Sequence, residues 1–230
     1  MKKFGLGAIL AAGIAAFSVG GASAADLSTP AYKAAPVVEA PLSPWQIRVR
    51  GLYVMPENGG SVNGILGSDL TYSDAVVPEL DITYYFTKNI AAELILGVTP
   101  HDINGAGTIS SLGQVGKVWL LPPTLTLQYH FTDFGPFKPY IGAGVNYTVF
   151  FSQDATNPAF SSVDVHDTWG LALQAGFDWM IDRHWGINVD VKKIFLEPSF
   201  TLQLASNGSY LTGGADLNPW IFGTGITYRF

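Results

Sequence analysis

The chain ends in Trp220-Ile-Phe-Gly-Thr-Gly-Ile-Thr-Tyr-Arg-Phe230, where large apolar side chains occupy alternate positions and the last residue is aromatic. A period of two is typical of a β-strand with one apolar face, and Thr224 is the one mild interruption of that face. A closing strand of this kind is typical of bacterial outer-membrane barrels, because it offers the outer-membrane assembly machinery an edge to pair with. We therefore assign an assembly signal to Tyr228 and Phe230.

The same alternation occurs in seven runs upstream of the closing strand. These runs cover residues 45–54, 80–86, 92–98, 124–131, 141–151, 169–179 and 187–192. With the closing strand they make eight predicted strands. The fold class that we predict is therefore all-β: an eight-stranded antiparallel transmembrane β-barrel over residues 45–230.

The connections between these runs alternate in length. Three are tight turns, at 87–89, 133–136 and 182–183; four are long polar or Gly-rich segments that we predict as loops, at 56–75, 100–118, 152–167 and 197–218. Short turns on one rim and long loops on the other are typical of outer-membrane barrels. Because the strand number is even, both termini are expected on the periplasmic side.

Composition indicates which face of the barrel meets lipid. Only 13% of the residues are charged, about half the usual share in a soluble protein. The polar face carries mostly Gly, Thr, Asn and Gln, whereas a soluble barrel of lipocalin type would need many Lys and Glu residues outside. Aromatic residues stand near strand ends on the apolar face, as interfacial girdles do: Trp45, Tyr53, Tyr129, Trp179, Trp185, Trp220 and Tyr228. The apolar face is therefore predicted to contact the bilayer.

The N-terminus has the features of an export signal. Lys2 and Lys3 precede an apolar run over 4–19, and Ala22-Ser23-Ala24 supplies a cleavage site, so we predict a cleaved signal peptide over 1–24. Residues 25–44, rich in Ala and Pro, are predicted to form a flexible periplasmic arm. Cleavage removes two bases and no acids, which changes the net charge from −6 to −8 and disfavours nucleic acid as a partner. The predicted location is the outer membrane of a Gram-negative bacterium.

The polar, inward-facing positions collect the charges of the barrel. They are Arg48, Arg50, Lys192 and Arg229 against Asp81, Glu93, Asp178 and Asp190. The interior of an eight-stranded barrel is just wide enough for side chains to fill, so buried charges there must pair or stay hydrated. One interpretation is a structural ion-pair network that closes the lumen to ions; the other is a narrow polar passage.

Toward the long-loop rim the inward positions become apolar. Leu52, Val54, Ile95 and the loop-adjacent Leu120 share this property, and apolar loop residues stand near them in sequence: Ile65, Leu66 and Leu112. Together they are predicted to line a hydrophobic pocket open to the outside, which would favour small hydrophobic molecules over ions. The alternative is that the loop side chains only pack on one another.

Catalytic and metal-binding patterns are weak in this sequence. The chain has no Cys, no His-Glu-x-x-His motif and no Gly-x-Ser-x-Gly motif. His166, with Asp164, Asp167 and Ser161 or Ser162, resembles the rim residues of outer-membrane acyltransferases, but the same residues are ordinary in a loop. We therefore predict no enzymatic activity, no catalytic residue, no metal and no cofactor.

Four segments resemble the OmpW family, in order along the chain from about Trp45 to the end. They are Leu121-Pro-Pro-Thr-Leu-Thr-Leu-Gln-Tyr-His-Phe131, Lys138-Pro-Tyr-Ile-Gly-Ala-Gly-Val-Asn-Tyr-Thr148, Asn188-Val-Asp-Val-Lys-Lys193 and the stretch from Leu217-Asn-Pro-Trp220 to Phe230. The resemblance implies an eight-stranded barrel whose hydrophobic channel passes small hydrophobic compounds and releases them sideways through an opening in the barrel wall.

In that family an apolar residue on the third strand and an aromatic residue on the seventh narrow the channel. By alignment these positions are Ile95, which is apolar as the family pattern requires, and Lys192, which is charged where the family has an aromatic residue. The expected function is a narrow channel for passive uptake of small hydrophobic molecules. The expected partners are the lipid bilayer, lipopolysaccharide, the assembly machinery and small hydrophobic solutes. The alternative is a structural or surface-interaction outer-membrane protein without transport activity.

Overall fold

The computed structural model describes residues 41–230. The predicted signal peptide and most of the predicted arm lie outside the described residues. Fifteen strands and one short 3₁₀ helix, Ser110–Leu112, are present in the described part. The strands are β1 Trp45–Met55, β2 Gly60–Val62, β3 Ser68–Tyr72, β4 Ala75–Tyr85, β5 Ile90–Gly97, β6 Thr99–Gly107, β7 Gln114–Leu121, β8 Thr124–His130, β9 Phe137–Ala155, β10 Phe160–Val165, β11 Thr168–Met180, β12 Trp185–Phe195, β13 Ser199–Leu204, β14 Tyr210–Ala215 and β15 Trp220–Arg229.

Eight of these strands close into an antiparallel barrel, which confirms the predicted fold class. Their order is β1, β4, β5, β8, β9, β11, β12 and β15, and β15 pairs again with β1. The closing register runs from Gln46 opposite Arg229 to Met55 opposite Trp220. Gly225 is required in this seam, because a Cβ atom there would stand 2.0 Å from the carbonyl oxygen of Val49.

The two faces of the barrel strands differ as the alternation predicts. The outward side chains of Leu127 and Leu171 are 60% and 63% exposed, whereas the inward side chains of Thr126 and Arg48 are fully buried. An apolar exterior around a polar interior fits a hydrocarbon surround. None of the helical segments among residues 41–230 has the length and apolar character needed to cross a membrane.

The chain ends are attached to the barrel on the short-turn side. Ser43 N donates to the Phe230 carbonyl at 2.7 Å, and Phe230 N donates to the Trp45 carbonyl at 3.1 Å. Tyr228, one of the two residues assigned to the assembly signal, stacks edge-on against Trp185 and Phe230. The last aromatic residues therefore lie on the outer wall at the seam where β15 pairs with β1 and closes the barrel.

The four long connections, predicted as loops, are largely β-structure. β6 and β7 form a hairpin whose β7 strand pairs with the upper half of the 19-residue strand β9, and β10, β13, β14 and β2 form a second sheet. In these strands the alternation is opposite to that of the barrel strands, because the apolar side chains face inward. In β13, Phe200 and Leu202 are buried, while Thr201 and Gln203 are more exposed. The inversion follows from the solvent, because these strands stand beyond the bilayer and face water outside.

Candidate functional site

An apolar cavity lies between the top of the barrel and the extracellular strands. Its volume, counted as the space open to the centre of a water-sized sphere, is about 80 Å³. In the described part of the chain every strand except β2 and β11 contributes a residue to its walls, and its lining is mostly aliphatic. Such a cavity is typical of sites that bind small apolar molecules.

The four residues predicted to line a hydrophobic pocket are brought together in this cavity. Leu52 and Val54 come from β1, Ile95 from β5 and Leu120 from β7, and all four are buried and line the cavity. Leu52, Val54 and Leu120 also belong to one cluster of buried apolar side chains. Leu120 lies within a strand rather than beside a loop.

The loop residues predicted near the pocket behave differently from one another. Ile65 and Leu112 are partly buried and pack against the apolar cluster. Leu66 is 97% exposed, so its predicted place in the pocket is wrong. It stands in the short turn between β2 and β3, where the chain reverses and the side chain cannot reach the interior.

The cavity wall also contains a few polar side chains above the barrel. The hydroxyl of Tyr72 donates to the Gly59 carbonyl at 2.8 Å, and burial raises the pKa of Tyr72. The imidazole Nδ1 of His101 lies 2.6 Å from the Ser73 carbonyl, and burial lowers the pKa of His101. Both side chains are therefore neutral at pH 7.

The floor of the cavity is a layer of buried ion pairs inside the barrel. Arg48 makes a two-pronged contact with Asp178, Nε to Oδ1 at 3.1 Å and Nη2 to Oδ2 at 2.7 Å, and its Nη1 contacts Glu93. Thr83 and Gln174 also donate to Glu93, each at 3.0 Å. These contacts give Arg48 and both acids the partners that a buried charge requires.

Arg50 is the centre of the upper half of this layer. Its Nε lies 2.7 Å from Asp81 Oδ2 and its Nη2 lies 2.8 Å from Glu79 Oε1. The carboxylates of Glu93 and Asp190 are within 3.6 Å and 3.4 Å of the same guanidinium. One buried cation therefore holds four acids together.

Lys192 and Glu79 form the part of the layer that faces the cavity. Lys192 Nζ lies 2.7 Å from Glu79 Oε1 and 3.5 Å from Asp190 Oδ1. Both residues line the cavity, so its apolar walls stand on a charged floor. Sequence analysis missed Glu79, although it lies on the same face of β4 as Asp81 and could have been found by extending the run over 80–86 by one residue upstream.

The place predicted for Arg229 in the charge network is wrong. In the described part of the chain no carboxylate is in ion-pair contact with it; instead its guanidinium lies 4.0 Å from the ring centre of Tyr85. The cause is its position near the periplasmic end of β15, two residues below Thr227, whose hydroxyl is the lowest donor to Asp178. A layer of neutral groups that includes His130 and Gln128 separates the two levels.

The residues considered for acyltransferase chemistry are not arranged for it. The His166 Nε2 atom lies 3.3 Å from the Thr201 hydroxyl, and Asp167 accepts hydrogen bonds from Phe150 N and the Tyr147 hydroxyl. Within residues 41–230, no hydrogen bond joins His166 to an acid or to Ser161 or Ser162, and no cluster of three His, Asp or Glu side chains could hold a metal ion. A nucleophile–base pair would need such a bond.

Comparison with known proteins agrees with this architecture. The model of the OmpW family matches residues 46–230. The outer-membrane protein y4mB of Sinorhizobium fredii is 57% identical over 217 residues, which cover 94% of this chain and 93% of that protein. The dibenzothiophene metabolism operon protein PahQ of Pseudomonas aeruginosa is 34% identical over 161 residues, covering 67% and 74%.

A solved structure extends the likeness from sequence to geometry. The crystal structure of the outer membrane protein OprG from Pseudomonas aeruginosa has a TM-score of 0.76 and 28% identity, with 82% of this chain and 97% of that chain covered. This chain therefore belongs to the OmpW family and is a β-barrel protein of the bacterial outer membrane.

Proposed function

We propose that this protein admits small hydrophobic molecules passively into the outer membrane through its extracellular cavity. The observation that carries the proposal is the apolar cavity over a floor of buried ion pairs. An apolar solute that leaves water for such walls gains roughly 25 cal/mol for each Å² of surface buried, whereas an ion loses hydration. The lining groups therefore favour uncharged apolar solutes. No cofactor and no catalytic residue is needed.

The exit is proposed to lead sideways through the barrel wall. Downward passage would require an apolar molecule to cross the paired carboxylates and guanidinium groups of the ion-pair layer. The pairing between β5 and β8 ends with Ile95 opposite Thr124. Pairing begins again above this point between β6 and β7, with Thr99 opposite Leu120. The interval contains Pro122 and Pro123, which have no N–H to donate to a ladder. Pro122 and Gly97 also line the cavity, so the proposed exit opens from the cavity at this interruption.

One relative supports the hydrophobic solute class. PahQ is named for an operon of dibenzothiophene metabolism, and dibenzothiophene is an uncharged aromatic compound. The bilayer would receive the solute directly. Lipopolysaccharide around the barrel and the outer-membrane assembly machinery acting on Tyr228 and Phe230 belong to the same proposal as partners.

The substitution Ile95→Glu tests the proposal. A carboxylate at this wall position faces the cavity at the last β5–β8 pair before the interruption, so it should reduce solute entry at least about tenfold, because an apolar solute would have to pass a hydrated charge. Entry of a fluorescent hydrophobic solute into lipid vesicles that contain the wild type or the variant would measure the effect.

Leu66→Glu is the matched control, since it adds the same charge at a fully exposed position outside the cavity. Gel mobility before and after heating would show that each variant is folded. Equal entry rates for wild type, Ile95→Glu and protein-free vesicles would contradict the proposal and favour a structural or surface-interaction role.

A further inference from the structure

His101 is a buried imidazole on an otherwise aliphatic part of the cavity wall. It follows Thr99 and precedes Ile103 on the inward face of β6, and only 6% of its surface is exposed. These three side chains all line the cavity. A neutral imidazole has one donor and one acceptor nitrogen, so each nitrogen needs a partner of its own kind when it is removed from water.

The two nitrogens of His101 are in different situations. The Ser73 carbonyl accepts only, so Nδ1 must be the protonated nitrogen that donates to it, at 2.6 Å. Ser73 is held in turn, because its hydroxyl accepts from Asp102 N at 2.8 Å and its own N donates to the Asp102 carbonyl at 3.1 Å. This arrangement fixes the tautomer and leaves Nε2 as an acceptor. No hydrogen bond to Nε2 comes from any residue between 41 and 230.

Most other polar side chains of the wall already have partners; the exception within residues 41–230 is Thr99, whose buried hydroxyl makes no hydrogen bond. Lys192 and Glu79 pair with each other, and the Tyr72 hydroxyl donates to Gly59. The Thr124 hydroxyl donates to the Pro122 carbonyl and that of Thr148 to Asn146 Oδ1. The Nε2 atom of His101 is thus a fixed acceptor that faces apolar space.

We propose that His101 selects, among hydrophobic solutes, those that carry one hydrogen-bond donor, such as phenols and alcohols, over hydrocarbons of the same shape. This inference rests on the proposed function, because it assigns the substrate class of the same cavity. A phenol satisfies Nε2 when it displaces water from the cavity, whereas a hydrocarbon leaves the acceptor buried and unpaired. One hydrogen bond of this kind should favour the donor-bearing solute by about three- to tenfold.

Equilibrium binding of 2-naphthol and naphthalene to the purified protein in lipid nanodiscs tests this inference, with empty nanodiscs as the background. The two solutes differ by one hydroxyl group. The wild type should prefer 2-naphthol, and His101→Leu should lower the naphthol-to-naphthalene ratio about three- to tenfold while binding of naphthalene persists. His101→Gln keeps an acceptor and should restore part of the preference.

His166→Leu is the matched control, because it makes the same change at an exposed imidazole outside the cavity; the preference should survive it. An unchanged ratio in His101→Leu would overturn the inference, as would an equal loss of both solutes, which would indicate a structural role only. Selective binding without solute entry into vesicles would overturn the uptake proposal alone. Absence of binding by the wild type would overturn both.

Discussion

Replacing Arg50 by Met should lower the free energy of unfolding by about 3–5 kcal/mol, the range measured when one partner of a buried ion pair is removed. The wild-type layer contains three basic side chains, Arg48, Arg50 and Lys192, against five acids: Glu79, Asp81, Glu93, Asp178 and Asp190. Without Arg50, two bases face the same five acids. Asp81 loses the one cation within ion-pair distance of it, and the Asn188 amide oxygen loses the Nη1 donor at 3.0 Å.

Denaturant unfolding of the protein in lipid vesicles would measure this loss. Arg50→Lys is the matched control. It keeps the positive charge but not the planar guanidinium group, so the decrease in the free energy of unfolding should be smaller. Acid pH should reduce the penalty of Arg50→Met, because a protonated carboxyl needs no cation. A stability equal to that of the wild type at pH 7 would mean that the layer is hydrated and open.

Replacing Leu173 by Arg should destabilise the barrel by about 2–4 kcal/mol, the cost of a cation near the bilayer midplane on the lipid face of such a barrel. Leu173 points outward on β11 and lies between Trp169 and Trp179, which mark the two ends of that strand. Its side chain is 52% exposed, so a barrel surrounded by water would tolerate the change or gain solubility from it.

The same vesicle unfolding experiment serves for this variant. Leu66→Arg makes the equivalent change at the exposed β2–β3 turn and should alter stability by less than about 0.5 kcal/mol. Similar effects at the two positions would mean that Leu173 does not contact hydrocarbon.

The barrel could be predicted from sequence because lipid imposes one simple rule on it. Within the bilayer every strand alternates between hydrocarbon and a polar interior, so parity alone places residues such as Leu127 and Thr126. The inward placement of the eight predicted charges followed from the same rule. The ion-pair partner of each charge could not be predicted in this way. Pairing depends on strand register and on how far each side chain reaches across the lumen, as in the contact of Arg48 on β1 with Asp178 on β11.

The extracellular strands were missed because the rule reverses beyond the bilayer. Phe200 and Leu202 alternate as clearly as a membrane strand does, but their apolar side faces the cavity and their polar side faces water. Arg229 was misassigned for a related reason: parity gives the face of a residue but not its depth along the barrel axis. The four apolar residues predicted near the rim were found because they share both face and depth.

His101 illustrates a residue whose environment sequence analysis did not find. The segment around it, with Pro100, Asp102 and Asn104, is polar enough to indicate a loop. Only the pairing of β6 with β7 and the contact with Ser73 place its imidazole in an apolar wall.

The most direct test of the cavity's role is anomalous diffraction from crystals soaked with a brominated hydrophobic solute. We expect a bromine peak inside the cavity, within contact of Leu52, Ile95 and Leu120, and no peak below Lys192. Bromine found only along the outer wall, with ordered water filling the cavity, would contradict the proposal that hydrophobic molecules enter there.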